Sequence, residues 1–279
     1  MNGTALVLGG GGPVGGAWLT GVLAGLAGAG IELDGADVVI GTSAGAVFGS
    51  RLRSGVTAAE LYDRQLSGAD AVRLPVTARQ TASFLWAALG SRDPQRSVER
   101  LARTALRART GPESDVFDTV GALLGDVHDW PERELRIAAV DAASGRTEVF
   151  DSGSGATLLE AVAASCAVPV VWPPVTVAGR RWMDGGSRST TNLHLAHGYE
   201  RVLALAPVPR AVGPHPSATR QAAQLSADGT RVLLLSPDRA ARRVMGRDMT
   251  ADARRPAAAR AGRTQAGAAA ASVAGLWHG

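Results

Sequence analysis

Thr4-Ala5-Leu6-Val7-Leu8-Gly9-Gly10-Gly11-Gly12-Pro13 opens the chain, and Asp37-Val38-Val39-Ile40-Gly41-Thr42-Ser43-Ala44-Gly45 follows it. Each stretch joins a short apolar run to a glycine-dense loop. Runs of this length, bounded by glycine, predict buried strands over Thr4–Leu8 and Asp37–Ile40. Pro13 stands where a helix can start, and Val14–Ala29 reads as that helix. After the Gly41–Gly45 turn, Ala46–Arg53 continues as helix. Strand, loop, helix, strand, turn, helix is the grammar of a parallel α/β sheet.

Outward from this core the pattern stays mixed. Residues 58–124 are helical in character, with helices expected over Ala58–Leu66, Thr77–Leu89 and Pro94–Ala108 and no convincing strand. Strands are expected at Leu135–Val140 and Arg146–Phe150, joined by Ser144-Gly145. A helix is expected at Thr157–Ala164, and a hairpin of Val175–Val177 and Arg181–Met183 turns at Ala178-Gly179. Val202–Ala206 and Val232–Leu235 complete the buried strands. Pro207–Pro216 reads as a surface loop. An Ala/Arg-rich helix runs from about 250 to about 276, interrupted near Pro256. The expectation is one domain over residues 1–279, with a helical insertion at about 58–124.

Composition narrows the classes. Hydrophobic residues make up 46% and charged residues 19%, which excludes a disordered chain. All 29 basic residues are Arg. Residues 1–200 carry a net charge of −4 and residues 201–279 a net +8. That basic final third reads either as a solvated face or as one turned toward an anionic membrane. The lone Cys166 excludes an intramolecular disulfide framework. No charged side chain precedes Glu32, so a signal peptide with a basic start is not expected, and no transmembrane run is seen. Cytoplasmic residence follows as the expectation, with peripheral membrane contact left open. Arg254, Arg255, Arg260 and Arg263 lack interleaved aromatics, so nucleic acid is not an expected partner. No zinc-like spacing appears, and neither metal nor cofactor is expected.

Two motifs carry chemistry. Gly41-Thr42-Ser43-Ala44-Gly45 is G-x-S-x-G between a strand and a helix. Such a turn lifts the Ser43 hydroxyl clear of the sheet and sets it at a helix N-terminus, where developing negative charge is stabilised. Read alone, the motif also fits an ordinary turn with a capping Ser. The loop Gly9–Gly12 lets backbone N–H groups converge on an anion. Gly10, Gly12 and Gly15 also spell the dinucleotide fingerprint, but that reading wants an acid after the second strand, where Thr42 and Ser43 stand. A nucleophilic Ser needs a base. Asp184 followed by His194, His197 or His215 would satisfy the Ser–Asp–His order of the α/β-hydrolases, although Ser43 follows only the second strand. Asp184 followed by Gly185-Gly186 offers a carboxylate that could approach a neighbouring turn directly.

Three blocks together resemble the patatin-like phospholipase family: Leu8–Leu26 with its glycine run and helix, Gly41–Gly45, and Ser165–Gly186 with Met183-Asp184-Gly185-Gly186, followed by Asn192. The resemblance runs from the first strand to at least Ala206. It implies a three-layer α/β/α sandwich with a mainly parallel central sheet. It implies Ser43 as nucleophile and Asp184 as base, without His. Gly10, Gly11 and Gly12, with Ala44, would form the oxyanion hole, and a lipid or small acyl ester would be the substrate. Val14 departs from the family, which often has Arg or Lys there; oxyanion stabilisation would then rest on backbone dipoles. A non-catalytic lipid-binding member of the fold is the alternative that Val14 favours. Thr77–Leu89 could serve as a lid or membrane-touching helix, or pack on the core. Trp18, Trp86, Trp172 and Trp182 could line an acyl channel or fill the core. Asn192 could orient the loop after Asp184 or cap a helix.

Overall fold

The computed structural model describes residues 3–72 and 76–279. Among the described residues eight strands form one mixed sheet: β1 (Thr4–Leu8), β2 (Val38–Gly41), β3 (Leu135–Asp141), β4 (Thr147–Phe150), β5 (Val175–Val177), β6 (Arg180–Asp184), β7 (Arg201–Leu205) and β8 (Arg231–Leu235). Hydrogen-bonded neighbours follow the path β5-β6-β3-β2-β1-β7-β8, and β4 also pairs with β3. The run β3-β2-β1-β7-β8 is parallel, and β4, β5 and β6 are antiparallel additions.

Side chains alternate between two apolar layers, as a sheet covered on both faces requires. Leu6, Leu8, Val39, Leu203 and Leu205 face the larger layer. Ala5, Val7, Val38, Ile40, Val202 and Ala204 face the smaller one. The larger layer holds α1 (Gly12–Ala27), α2 (Ala44–Arg53), α3 (Ala58–Ser67), α6 (Glu113–Leu124), α7 (Leu158–Cys166) and α10 (Arg255–Trp277). The smaller is closed by α8 (Ala218–Ala227) and a short 3-10 turn, Leu193–Ala196. The expected α/β/α sandwich is the observed one.

α1 and α10 approach so closely that a Cβ on Gly21 would fall on the Ala259 carbonyl, and one on Gly262 on the Trp18 carbonyl. Trp18 is fully buried beneath this contact, and its indole N–H donates to Gln265 (3.1 Å). Burying a side chain of that size is worth about 1.5–3 kcal/mol or more. A polar knot ties α2, α3 and α10 together: the buried Asp70 carboxylate accepts from Arg51 (3.0 Å), Arg64 (2.7 Å) and Gln65 (2.6 Å). Arg255 donates to Gln65 Oε1 (2.6 Å) in the same knot.

The sheet register positions the site. Ile137 of β3 pairs with Gly41 on one edge and Phe150 on the other. Ala139 pairs with Asp184 and Glu148. Each edge of a strand holds one partner, so β2 and β6 share the edge opposite β4. They lie end to end and run toward each other. The end of β2 at Gly41 therefore meets the end of β6 at Asp184.

Several expected boundaries shift. α1 starts at Gly12, earlier than Val14, because Pro13 sits in the first turn. The final helix is not interrupted at Pro256: Asp252–Arg254 forms a 3-10 turn and α10 starts at Arg255, with proline in its first turn where no N–H is needed. α6 falls inside the stretch at about 58–124 expected to be helical, without bounds of its own there, whereas α8 and α9 (Arg239–Met245) are additions to the expected elements. α4 (Ala78–Leu89) and α5 (Pro94–Arg107) fall where expected. Among the described residues, no helix is long and apolar enough to cross a membrane.

Candidate active site

Ser43 stands between β2 and α2 with φ 54° and ψ −120°. A positive φ is uncommon for a side-chain-bearing residue and is held only where its surroundings enforce it. The enforcement is visible. A Cβ on Gly45 would fall on the Leu8 carbonyl at the end of β1, and one on Gly41 would lie 2.6 Å from Ala46 Cα. Ser43 N–H donates to Ser165 Oγ (2.9 Å), and that hydroxyl donates to the Ala138 carbonyl (2.7 Å). Ser165, near the end of α7, thus fixes the turn to β3. The sequence reading gave it no role of its own.

The glycine loop lies against the nucleophile turn: a Cβ on Gly10 would come within 3.1 Å of Ser43 Cβ. Gly11 is the N-cap of α1, and Ala44 is the first residue of α2. Two helix N-termini therefore converge beside Ser43. Among the described residues the amides of Gly11, Gly12 and Ala44 have no backbone acceptor. Gly10 departs from the expectation, because its amide donates to the Thr190 carbonyl (2.7 Å) and is committed there. Val14 is fully buried in the larger apolar layer, and its N–H donates to Met249 (3.1 Å).

Asp184 is 5% exposed. Its Oδ1 accepts from the Gly186 amide (2.6 Å). Burial pushes its pKa from 3.8 up to about 6, against the opposing pull of the Ser43 hydroxyl and that amide. Asn192 joins the two halves. Its Nδ2 donates to Thr42 Oγ1 (3.1 Å), to the Gly185 carbonyl (3.3 Å) and to the Ser189 carbonyl (2.8 Å). It sits in the left-handed region (φ 48°), which Asn tolerates, and its side chain makes no helix cap. It thus holds the N-cap position of the Leu193–Ala196 turn without a side-chain cap, and its side-chain bonds reach the loop after Asp184 instead.

Ser43 faces two cavities. An apolar one of about 90 Å³ is lined by Val47, Phe48, Val120, Leu123 and Trp172, among others. A second of about 160 Å³ is lined by Gly10–Gly12, Phe84, Asp184 and Thr190, among others. Val168 borders both. Of the four Trp residues considered, only Trp172 lines either cavity; Trp18 and Trp182 are core, and Trp86 is exposed. No histidine lines them among the described residues. His194 Nδ1 lies 3.2 Å from Gln221 Oε1, and burial holds His194 and His215 below the usual histidine range, His215 at about 4. The Cys166 thiol borders the apolar cavity, and burial, reinforced by the Asp184 charge, pushes its pKa up. The dinucleotide reading finds no carboxylate at the end of β2, where Thr42 and Ser43 stand.

The patatin-like phospholipase family matches residues 6–197, well over half of the chain, a range that includes the glycine loop, Ser43, Ser165, Asp184 and Asn192. The chain belongs to the patatin-like phospholipase family. No curated protein matches the sequence significantly. Among solved structures, VipD from Legionella pneumophila is 14% identical with a TM-score of 0.40, over 66% of this chain and 46% of that one. The type III effector protein ExoU is 13% identical with a TM-score of 0.39, over 97% of this chain and 53% of that one. The chain spans about half the length of these two proteins.

Proposed function

We propose that the protein is a serine acyl hydrolase that cleaves carboxylic esters of lipids through Ser43 and Asp184. The observation that carries this is the meeting of the β2 and β6 ends, with a strained serine and a buried carboxylate on one cavity beside three amides that lack backbone acceptors. Asp184 takes the Ser43 proton as Oγ forms its bond to the ester carbonyl carbon. The carbonyl oxygen becomes an oxyanion held by the Gly11, Gly12 and Ala44 amides, each such donor being worth about 2.7–4 kcal/mol. The carbon–oxygen bond to the alcohol breaks, and Asp184 returns its proton to the departing oxygen. Water, deprotonated by Asp184, then attacks the acyl-enzyme and restores Ser43.

An Asp with its pKa near 6 is better matched to this proton traffic at neutral pH than one near 4. The apolar cavity suits the acyl chain. The more polar opening at Asp184 and Thr190 suits the leaving alcohol. Val14 is fully buried and brings no cation to the oxyanion.

Hydrolysis of a short p-nitrophenyl ester tests the reading. The wild type should turn over, and Ser43→Ala and Asp184→Asn should each lose roughly 10³-fold or more while remaining folded. An inert wild type, or a fully active Ser43→Ala, would overturn it in favour of a lipid-binding member without catalysis.

A further inference from the structure

The helical pair α4–α5 has features that the ester chemistry does not require. All four exposed large hydrophobic side chains among the described residues lie on it: Leu85, Trp86 and Leu89 on α4, and Leu106 on α5. Leu85 and Leu89 are one turn apart on the same helical face, with Trp86, 69% exposed, beside them. Next to this stripe, a groove of about 800 Å³ between the two helices is lined by Arg79, Arg100, Arg103, Arg107 and Arg109. None of these five guanidinium groups makes a salt bridge among the described residues. Arg100 lies over the Trp86 ring at 4.5 Å, and its buried Nε has no hydrogen-bond partner. Residues 76–109 hold seven Arg against two acids. This short segment is therefore far more basic than the chain as a whole.

From these observations we infer that α4–α5 is a docking surface for an anionic lipid bilayer. Its arginines would meet lipid phosphates, and Leu85, Trp86, Leu89 and Leu106 would enter the acyl boundary. Unpaired guanidinium groups match a negative surface, and a neighbouring stripe of Leu and Trp matches the apolar layer just beneath it. Nucleic acid would find aromatic stacking at Trp86 alone, and aliphatic Leu side chains give bases nothing to stack on. The surface is continuous with the catalytic opening. Phe84 of α4 lines the cavity that holds Ser43 and Asp184. Gln80 Nε2 donates to the Val170 carbonyl (3.0 Å), and Val170 borders the arginine groove two residues after Val168, which lines both cavities at Ser43. Docking through this face would bring the opening to the lipid.

Co-sedimentation with vesicles tests the inference. Binding is measured in Ser43→Ala protein, so lipid turnover does not enter and the result stands apart from the hydrolytic reading. Vesicles of phosphatidylcholine doped with phosphatidylglycerol should bind the protein, phosphatidylcholine alone should bind it weakly, and added salt should release it. Arg103→Gln with Arg107→Gln should weaken partitioning roughly 25-fold, about fivefold per arginine. Trp86→Ser with Leu89→Ser should weaken it roughly tenfold or more. Both pairs replace exposed residues and should leave hydrolysis of a short soluble ester unchanged when placed in a chain that retains Ser43. Equal binding to the two vesicle types, salt-independent binding or no vesicle binding would each overturn the inference. Retention of a polyanion such as heparin without vesicle binding would overturn it in favour of an acidic macromolecular partner.

Discussion

Asp184→Asn removes a carboxylate that is 5% exposed and that no cation pairs with among the described residues. Burial outweighs the Gly186 amide and the Ser43 hydroxyl, and it raises the pKa from 3.8 to about 6. A carboxyl with a higher pKa in the folded than in the unfolded state binds its proton more tightly when folded. Below about pH 4 both states are protonated and no penalty exists; stability then falls as pH rises between about 4 and 6, and stays reduced above. A shift of that size corresponds to roughly 3 kcal/mol. Asn keeps an oxygen for the Gly186 N–H and carries no charge, so it escapes the penalty. Urea unfolding at about pH 8 should therefore find Asp184→Asn more stable than wild type by up to roughly 3 kcal/mol, with the gap closing toward about pH 4. The same variant should lose turnover. A variant that is less stable at about pH 8, or whose advantage does not change with pH, would refute burial as the cause of the raised pKa.

Other outcomes follow from the same geometry. The base must be ionised, so kcat/KM for a neutral ester should rise about tenfold per pH unit at low pH and level off above about pH 6; a pH–rate profile checks this. Asn192→Ala leaves three buried acceptors without their donor, on Thr42, Gly185 and Ser189. It should cost about 2 kcal/mol or more of stability and lower kcat more than it raises KM. Asn192→Asp, which turns a charge toward the same acceptors, should be worse in both chemical unfolding and steady-state kinetics. Ser165→Ala orphans the Ser43 amide and should lower kcat with about 1–3 kcal/mol of destabilisation, read by the same two assays.

Much of the fold was legible because it rests on local signals. The apolar runs at β1, β2, β7 and β8, the glycines after β1 and β2, and Ala178-Gly179 in the β5–β6 turn all act within a few residues. The bounds of α6 within the helical stretch were not legible because its N-cap is Pro112, with no side-chain cap to announce it. The Pro256 break was misplaced because proline in a first turn and proline as an interruption look alike in one sequence. Ser43, Asp184 and the glycine loop could be named from their motifs. That β2 and β6 share one edge of β3 could not, since it depends on β3 outrunning β2. The loss of Gly10 as a donor has the same origin: its acceptor, Thr190, is 180 residues away in sequence. Ser165 bonds to Ser43 across 122 residues. The arginine groove is likewise assembled from two helices, and no single stretch spells it.

The central claim is that Ser43 is an activated nucleophile, and its most direct measurement is covalent capture. Wild-type protein treated with a fluorophosphonate should gain one adduct, which peptide mass spectrometry should locate on Ser43. Asp184→Asn should react far more slowly, and Ser43→Ala should not react at the same rate. An unlabelled wild type, or an adduct on Cys166 or any residue other than Ser43, would contradict the account.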